Sequence, residues 1–176
     1  MMVWFSPNDA GASAFQPGID APGQVTHGHL AENNNHGGTY DPDLPDPASL
    51  ADGPQVSTVS IDNFEYSPGD LDLATQIPTV KAGQSLTFTN NDAPAVYGYG
   101  TWHTITTCKL PCNLSTGVAY PVADAPVQLD SGQLGNFGVP TKGTISWSIP
   151  TNLATGDYAY FCRVHPFMRG AFRVVP

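Results

Sequence analysis

A short segment near the carboxyl end of the chain carries three side chains that metals bind through sulfur or nitrogen. Cys162, His165 and Met168 are spaced as Cys-x2-His-x2-Met within one predicted loop. Thiolate, imidazole and thioether groups are the ligands of electron-transfer copper sites, in which two histidines and a cysteine form a trigonal plane with a long axial methionine. His103 is the candidate for the second histidine, because the strand predicted around it can end beside the loop. The pattern therefore predicts one copper ion held by these four side chains.

The other two cysteines lie far from this loop in the sequence. Cys108 and Cys112 form a Cys-x3-Cys pair, a spacing that also occurs in the dinuclear copper centre of cytochrome oxidase. That centre has a histidine and a methionine just after its second cysteine, whereas here the next histidine after Cys112 is His165, so we exclude it. Two interpretations remain. A local disulfide is favoured and indicates an oxidising compartment; the alternative is a reduced pair that receives Cu(I).

The remaining histidines cluster near the amino end of the chain. His27 and His29 form a His-x-His pair, and His36 follows a run of three asparagines. On an extended strand both rings of such a pair point to one face, and a third histidine across a turn completes a metal site. One interpretation is a second site for copper or zinc, with Glu32 as an accessory ligand. The other is a polar loop whose histidines are solvated or bonded to the rest of the protein.

Charge and composition divide the chain into two parts. Its 176 residues carry a formal net charge of −9 and include 18 glycines and 17 prolines. Residues 1–54 contain seven of the acids, many prolines and no Lys or Arg, which predicts an irregular Pro/Gly-rich acidic arm. An acidic chain with six scattered cations is a poor nucleic-acid ligand, and no apolar run is long enough to span a membrane.

Residues 55–176 show the pattern of an all-β domain. Short alternating or β-branched runs recur between turn signals such as Ser67-Pro68-Gly69-Asp70, without helical periodicity between them. Regular short strands of this kind predict a Greek-key β-sandwich. The predicted strands comprise residues 56–61, 85–90, 102–107, 144–149, 158–162 and 171–175.

This second part of the chain resembles the cupredoxins, the family of small type 1 (blue) copper proteins. The segment from Cys162 to Gly170, which includes His-Pro-Phe-Met-Arg-Gly, is similar to the copper loop of the amicyanins within that family. The preceding Gly156-Asp157-Tyr158-Ala159-Tyr160-Phe161 resembles the strand that leads to the copper cysteine. One residue departs from the family pattern: Thr104 stands where many cupredoxins have an asparagine directly after the first histidine.

The resemblance implies a function as well as a fold. It implies a one-electron carrier that cycles between Cu(II) and Cu(I), docks redox proteins transiently through Pro166 and Phe167, and lies in the periplasm or outside the cell. Its signal or anchor would then lie outside this chain. Tyr97, Tyr99 and Trp102 are candidates to extend the docking surface. The alternative function is copper binding, delivery or sensing that uses a second site in the amino-terminal arm.

The residues beside the copper cysteine argue against an enzyme. In multicopper oxidases and copper nitrite reductases a histidine adjoins that cysteine and reaches another copper ion. Here Phe161 and Arg163 flank Cys162, so this covalent route is missing. We therefore predict a carrier with no catalytic residues.

Overall fold

Nine short strands form two sheets in the described part of the chain. A computed structural model describes residues 44–72, 74–92, 101–112, 125–135 and 145–176. One turn of 3-10 helix, Pro47–Ser49, precedes the strands. The strands are β1 Ala51–Gln55, β2 Thr58–Asp62, β3 Glu65–Ser67, β4 Gln76–Lys81, β5 Thr87–Asn90, β6 Thr106–Thr107, β7 Ser146–Ser148, β8 Gly156–Phe161 and β9 Arg169–Val175.

The two sheets pair strands that are distant in sequence. One sheet has the order β1-β4-β9-β8-β6, and the other has the order β3-β2-β5-β7. β1 and β4, β4 and β9, and β2 and β5 pair in parallel, while the remaining pairs are antiparallel. Connections therefore cross between the sheets, as in Greek-key sandwiches. The predicted all-β fold is confirmed.

The predicted strands appear with shifted ends. The segment predicted at 102–107 is regular only over Thr106–Thr107, and before it an isolated bridge joins His103 to Leu134. Sequence patterns did not indicate β1, β3 or β4 as strands. β1 contains Gly53 and Pro54, which disfavour strands, yet it pairs with β4 at the sheet edge, where a proline is tolerated. It also spans the predicted boundary between the arm and the domain at residues 54 and 55.

Alternation along β8 assigns its side chains to two separate cores. Tyr158 and Tyr160 belong to the core between the sheets, together with Phe88 and Phe172. Cys162 continues this inward series one step beyond the strand and is completely buried in the same core. Because side chains alternate with a period of two, the register of β8 directs the thiol inward at one pole of the sandwich.

The opposite face of the five-stranded sheet is also covered. Ala159 and Phe161 of β8 pack there with Leu44, Leu71 and Ile77. Cys108 and Cys112, both buried, join this second core as a disulfide with their Cα atoms 5.3 Å apart. The favoured disulfide is thus confirmed. The alternative, a reduced cysteine pair that receives Cu(I), does not agree with this structure.

Arg173 of β9 fastens the segment before β1 to this outer face. Its guanidinium donates to the carbonyls of Pro47 at 3.0 Å and Leu50 at 3.2 Å. It also forms a two-point pair with Asp157 of β8, at 2.6 and 3.2 Å, and an ion pair with Asp52. The forked N–H groups of a guanidinium can donate to several carbonyl and carboxylate oxygens at once, and they do so better than a lysine ammonium.

Replacing this arginine should loosen the segment. We expect Arg173→Met to lower the free energy of unfolding by about 1–3 kcal/mol, because Asp157 loses its partner and two carbonyls lose donors. Lys81→Met removes an exposed cation from the neighbouring strand and should change it by less than about 0.5 kcal/mol. Urea denaturation of both variants measures the difference, and equal losses would contradict the assigned role.

Candidate metal centre

The loop between β8 and β9 is closed by its own backbone. The Cys162 N–H donates to the Met168 carbonyl at 3.1 Å, and the Met168 N–H donates to the His165 carbonyl at 2.9 Å. The Arg169 Nε–H reaches back to the carbonyl of Pro166 at 3.0 Å. These bonds fold the segment from Cys162 to Met168 into a compact turn that places His165 beside Cys162.

Three ligand atoms from two distant segments meet at this pole. Cys162 Sγ lies 3.7 Å from His103 Nδ1 and 3.7 Å from His165 Nδ1, and the two Nδ1 atoms are 3.2 Å apart. All three side chains are buried. The structure thus brings together the predicted histidine from position 103 and the predicted thiolate and imidazole of the loop.

This triangle has the dimensions of a metal site. A point equidistant from the three atoms lies about 2.1 Å from each, which matches the roughly 2.0–2.3 Å of zinc bonds to histidine nitrogen and cysteine sulfur. Two imidazoles and one thiolate in a plane are the donors of electron-transfer copper sites. The residues therefore fit the ion that the sequence predicts.

The fourth predicted ligand lies in the same region. Met168 is 1% exposed and belongs to the same core as Cys162 and Phe167. Its backbone closes the loop through hydrogen bonds with Cys162 and His165. The role of its thioether as an axial ligand stays a prediction.

A buried carboxylate that sequence analysis missed orients His103. Asp92, just after β5, has Oδ2 2.7 Å from His103 Nε2. The same carboxylate accepts the backbone N–H groups of Asn63 at 2.5 Å and Phe64 at 2.9 Å. Asn90 accepts the Asp92 N–H at 2.9 Å. A metal-binding histidine commonly donates its second N–H to a carboxylate, but nothing in the sequence pairs position 92 with position 103.

Phe64 covers the two imidazoles. Its ring meets that of His165 edge-on at 4.9 Å and that of His103 edge-on at 5.4 Å. It lies in the two-residue turn between β2 and β3, where Asn63 has φ 52° and Phe64 has φ 64°. A bulky residue is rarely found in this left-handed region, so the surrounding contacts must offset its strain. No sequence motif marked Phe64, because its role depends on this conformation.

Thr104 links the two ligand segments. Its N–H donates to Cys162 Sγ at 3.4 Å, and its hydroxyl oxygen accepts the N–H of Arg163 at 2.9 Å. The hydroxyl also lies 3.0 Å from that of Thr106, which donates to Asp130 at 3.2 Å. The Arg163 guanidinium pairs with the same carboxylate at 3.2 Å, which completes a ring of contacts. Thr104 therefore ties the segments together at the position where the family pattern has an asparagine.

The electrostatics of the metal-free cluster favour a thiolate. Burial alone would raise the pKa of the Cys162 thiol, but hydrogen bonds and charge from His103 and His165 bring that pKa well below its ordinary value. Burial lowers the pKa of His103, yet its bonds to Asp92 and Cys162 outweigh burial and raise the pKa to about 9. Burial is the main reason that the pKa of His165 is lowered. These directions favour a thiolate–imidazolium pair of Cys162 and His103 beside a neutral His165 in the metal-free protein.

The other predicted site residues have different outcomes. Pro166 is half-buried and Phe167 is buried, both on the ligand loop, and Trp102 is half-buried beside His103. Tyr97, Tyr99 and the arm residues His27, His29, Glu32 and His36 lie outside the described residues. Among the described residues, no helix has the length and apolarity needed to cross a bilayer.

Comparison with known proteins finds likeness among solved structures. No family model and no curated protein matches the chain. A copper-containing nitrite reductase from Thermus scotoductus SA-01 is 20% identical with a TM-score of 0.43, and the match covers 72% of this chain but only 23% of that one. A purple cupredoxin from Nitrosopumilus maritimus is also 20% identical with a TM-score of 0.43, over 68% of this chain and 100% of that one.

A third structure is a reduced Cu(I) form of an amicyanin variant. It is 22% identical with a TM-score of 0.42, and the match covers 76% of this chain and 95% of that one.

The thiolate can be observed without metal. Cys162 is the single free thiol once Cys108 and Cys112 are bridged. We expect the metal-free protein to show thiolate absorbance at 240 nm at neutral pH, lost only as the pH falls well below the ordinary thiol pKa of about 8.5. The spectrum of Cys162→Ser supplies the baseline. A difference spectrum that appears only above that pKa would contradict the thiolate–imidazolium pair.

The link through Thr104 predicts a graded effect. Thr104→Ala leaves the Arg163 N–H without its acceptor and should lower the free energy of unfolding by about 1–2 kcal/mol, with faster amide exchange at Arg163. Thr104→Ser keeps the hydroxyl and should restore most of both. Thr87→Ala removes a hydroxyl of an exposed pair on the other sheet and should cost less than about 0.5 kcal/mol. Arg163 exchange that is the same in wild type and Thr104→Ala would refute the link.

Proposed function

We propose that this chain is a blue copper protein of the cupredoxin type that carries single electrons between redox proteins. The observation that supports this most directly is the buried triangle of His103 Nδ1, Cys162 Sγ and His165 Nδ1, whose dimensions suit one ion. Copper bound there would supply a Cu(II)/Cu(I) couple, so that the chain could take one electron from a reduced partner protein and pass it to an oxidised one.

The surrounding residues keep the site rigid in both oxidation states. Thiolates suit Cu(I) and imidazoles suit Cu(II), so a fixed mixture of the two serves the couple with little rearrangement. The backbone bonds of the loop, the Thr104 link and the Asp92 bond to His103 each fix one ligand segment. Phe64 and the buried position exclude water from the cluster.

A carrier fits this chain better than an oxidoreductase domain does. Phe161 packs in the outer core of the five-stranded sheet, and Arg163 pairs with Asp130. Neither neighbour of Cys162 offers an imidazole to a second metal. The described residues hold one group of three or more potential metal ligands, the His103–Cys162–His165 cluster.

The proposed route for the electron is the ligand loop itself. His165 is 7% exposed, and Pro166 and Phe167 adjoin it on the same loop. Partners would dock there through a small, transient interface, as weak electron-transfer complexes do. The confirmed disulfide of Cys108 and Cys112 supports a periplasmic or extracellular location, because such bridges persist in oxidising compartments.

Copper titration tests this proposal. We expect the reduced apo-protein to bind copper at this site, to show intense visible absorption when oxidised, and to give a reversible one-electron voltammogram. Cys162→Ser should lose the absorption while retaining the far-UV spectrum of the sandwich. Cys108→Ser/Cys112→Ser removes the other cysteines and should keep it, which shows that the absorption comes from Cys162. Copper binding without the absorption would refute a type 1 site.

The same titration addresses the arm. Copper stoichiometry is compared between wild type and His27→Ala/His29→Ala. A second equivalent that this variant loses would assign a further metal site to the arm; equal stoichiometries leave the electron-carrier function with its single ion.

A further inference from the structure

One buried carboxylate receives three N–H donors at the edge of the metal centre. The side chain of Asp92 is 1% exposed. The backbone N–H groups of Asn63 and Phe64 donate to Oδ1 and Oδ2, respectively, and His103 Nε2 lies 2.7 Å from Oδ2. Backbone N–H groups can only donate, so both carboxylate oxygens act as acceptors, as they do when ionised. Asp92 therefore places a fixed negative charge one imidazole ring away from the ligand triangle.

This charge has no strong basic partner. Within the described part of the chain, the ion pair that Asp92 forms is with His103 and with no lysine or arginine. When His103 binds a metal through Nδ1 its ring is neutral, and the carboxylate keeps its full charge. In a buried, low-dielectric setting such a charge acts strongly on a nearby ion.

The bond to Asp92 also selects the histidine tautomer. When His103 loses one proton to bind an ion, the bond to Asp92 keeps the remaining proton on Nε2, so that Nδ1 is the nitrogen that offers its lone pair. That Nδ1 atom faces Cys162 Sγ at 3.7 Å and His165 Nδ1 at 3.2 Å. The ring is therefore oriented for metal binding before any ion arrives.

The same carboxylate supports the turn that covers the site. Asn63 and Phe64 both have positive φ, a backbone conformation that is unfavourable for a residue with a Cβ atom, and most of all for a bulky one. Charge-assisted hydrogen bonds from both N–H groups to Asp92 offset this cost. They keep the Phe64 ring edge-on against both imidazoles. Asp92 thus couples the orientation of His103 to the covering turn.

We propose that Asp92 is a charged positioning residue that fixes His103 with Nδ1 toward the metal and lowers the reduction potential of the copper centre. The oxidised ion carries one more positive charge than the reduced ion, so a fixed negative charge stabilises it more. This inference rests on the proposed electron-carrier function for its redox part. The positioning part applies to any metal ion in the triangle.

Voltammetry of Asp92→Asn tests the charge. Asparagine keeps the shape and one acceptor oxygen but removes the charge, so the copper-loaded variant should have a higher reduction potential than wild type. Asp92→Glu retains the charge and should stay closer to wild type than Asp92→Asn. Asp157→Asn is the matched control, since Asp157 lies five residues before Cys162 along β8, roughly 16 Å away. An unchanged or lower potential in Asp92→Asn, or an equal rise in Asp157→Asn, would overturn the proposal.

A redox-inactive ion tests the positioning separately. In Zn(II)-loaded wild type, the His103 Nε2–H proton should give a downfield NMR signal that exchanges slowly with water. In Asp92→Asn the signal should move upfield and exchange at least about tenfold faster, because the acceptor is no longer charged. A fast-exchanging signal in wild type contradicts the bond even if the variant fails to fold. If copper shows no reversible couple while the zinc result holds, the electron-carrier function fails and the positioning role of Asp92 stands.

Discussion

The structure depends on keeping a thiolate and two imidazoles in contact inside an apolar core. Cys162, His103 and His165 are all buried, and burial alone favours their neutral forms. The hydrogen bonds among these side chains, together with the bond between His103 and Asp92, reverse this preference for the Cys162 thiol and favour its charged form. A bound cation would complete this charge arrangement, because it would replace the proton that His103 carries beside the thiolate in the metal-free protein.

The sandwich supplies the rigidity that this cluster needs. β8 continues without a break into Cys162, and its register with β9 fixes where the ligand loop starts and ends. The segment that carries the first ligand contributes only His103 and the short β6 to the sandwich. Polar side chains therefore connect this segment to the ligand loop. Thr104, Thr106 and Asp130 form that connection. Packing thus fixes the thiolate, and a hydrogen-bond network fixes the imidazole opposite it.

Charge near the site is unevenly distributed. Arg163 lies in a half-exposed pair with Asp130, whereas Asp92 is buried beside the ligand His103. Solvent screens the first pair and leaves the second unscreened. A single buried acid can therefore act on the centre more strongly than a half-exposed ion pair does.

The sequence alone determined the sheet-forming pattern and the donor set, because alternation and the Cys-x2-His-x2-Met spacing are local properties. It also identified His103, which an independent strand had to bring within 3.7 Å of Cys162. Asp92, Phe64 and the substitute role of Thr104 could not be predicted, since no local pattern pairs Asp92 with His103, Phe64 with His165 or Thr104 with Arg163. Strands β1 and β3 were also hidden, because edge pairing and the left-handed turn at Asn63 and Phe64 override local propensity. Only tertiary structure decides such contacts, because pairing between distant strands sets which short side chains meet.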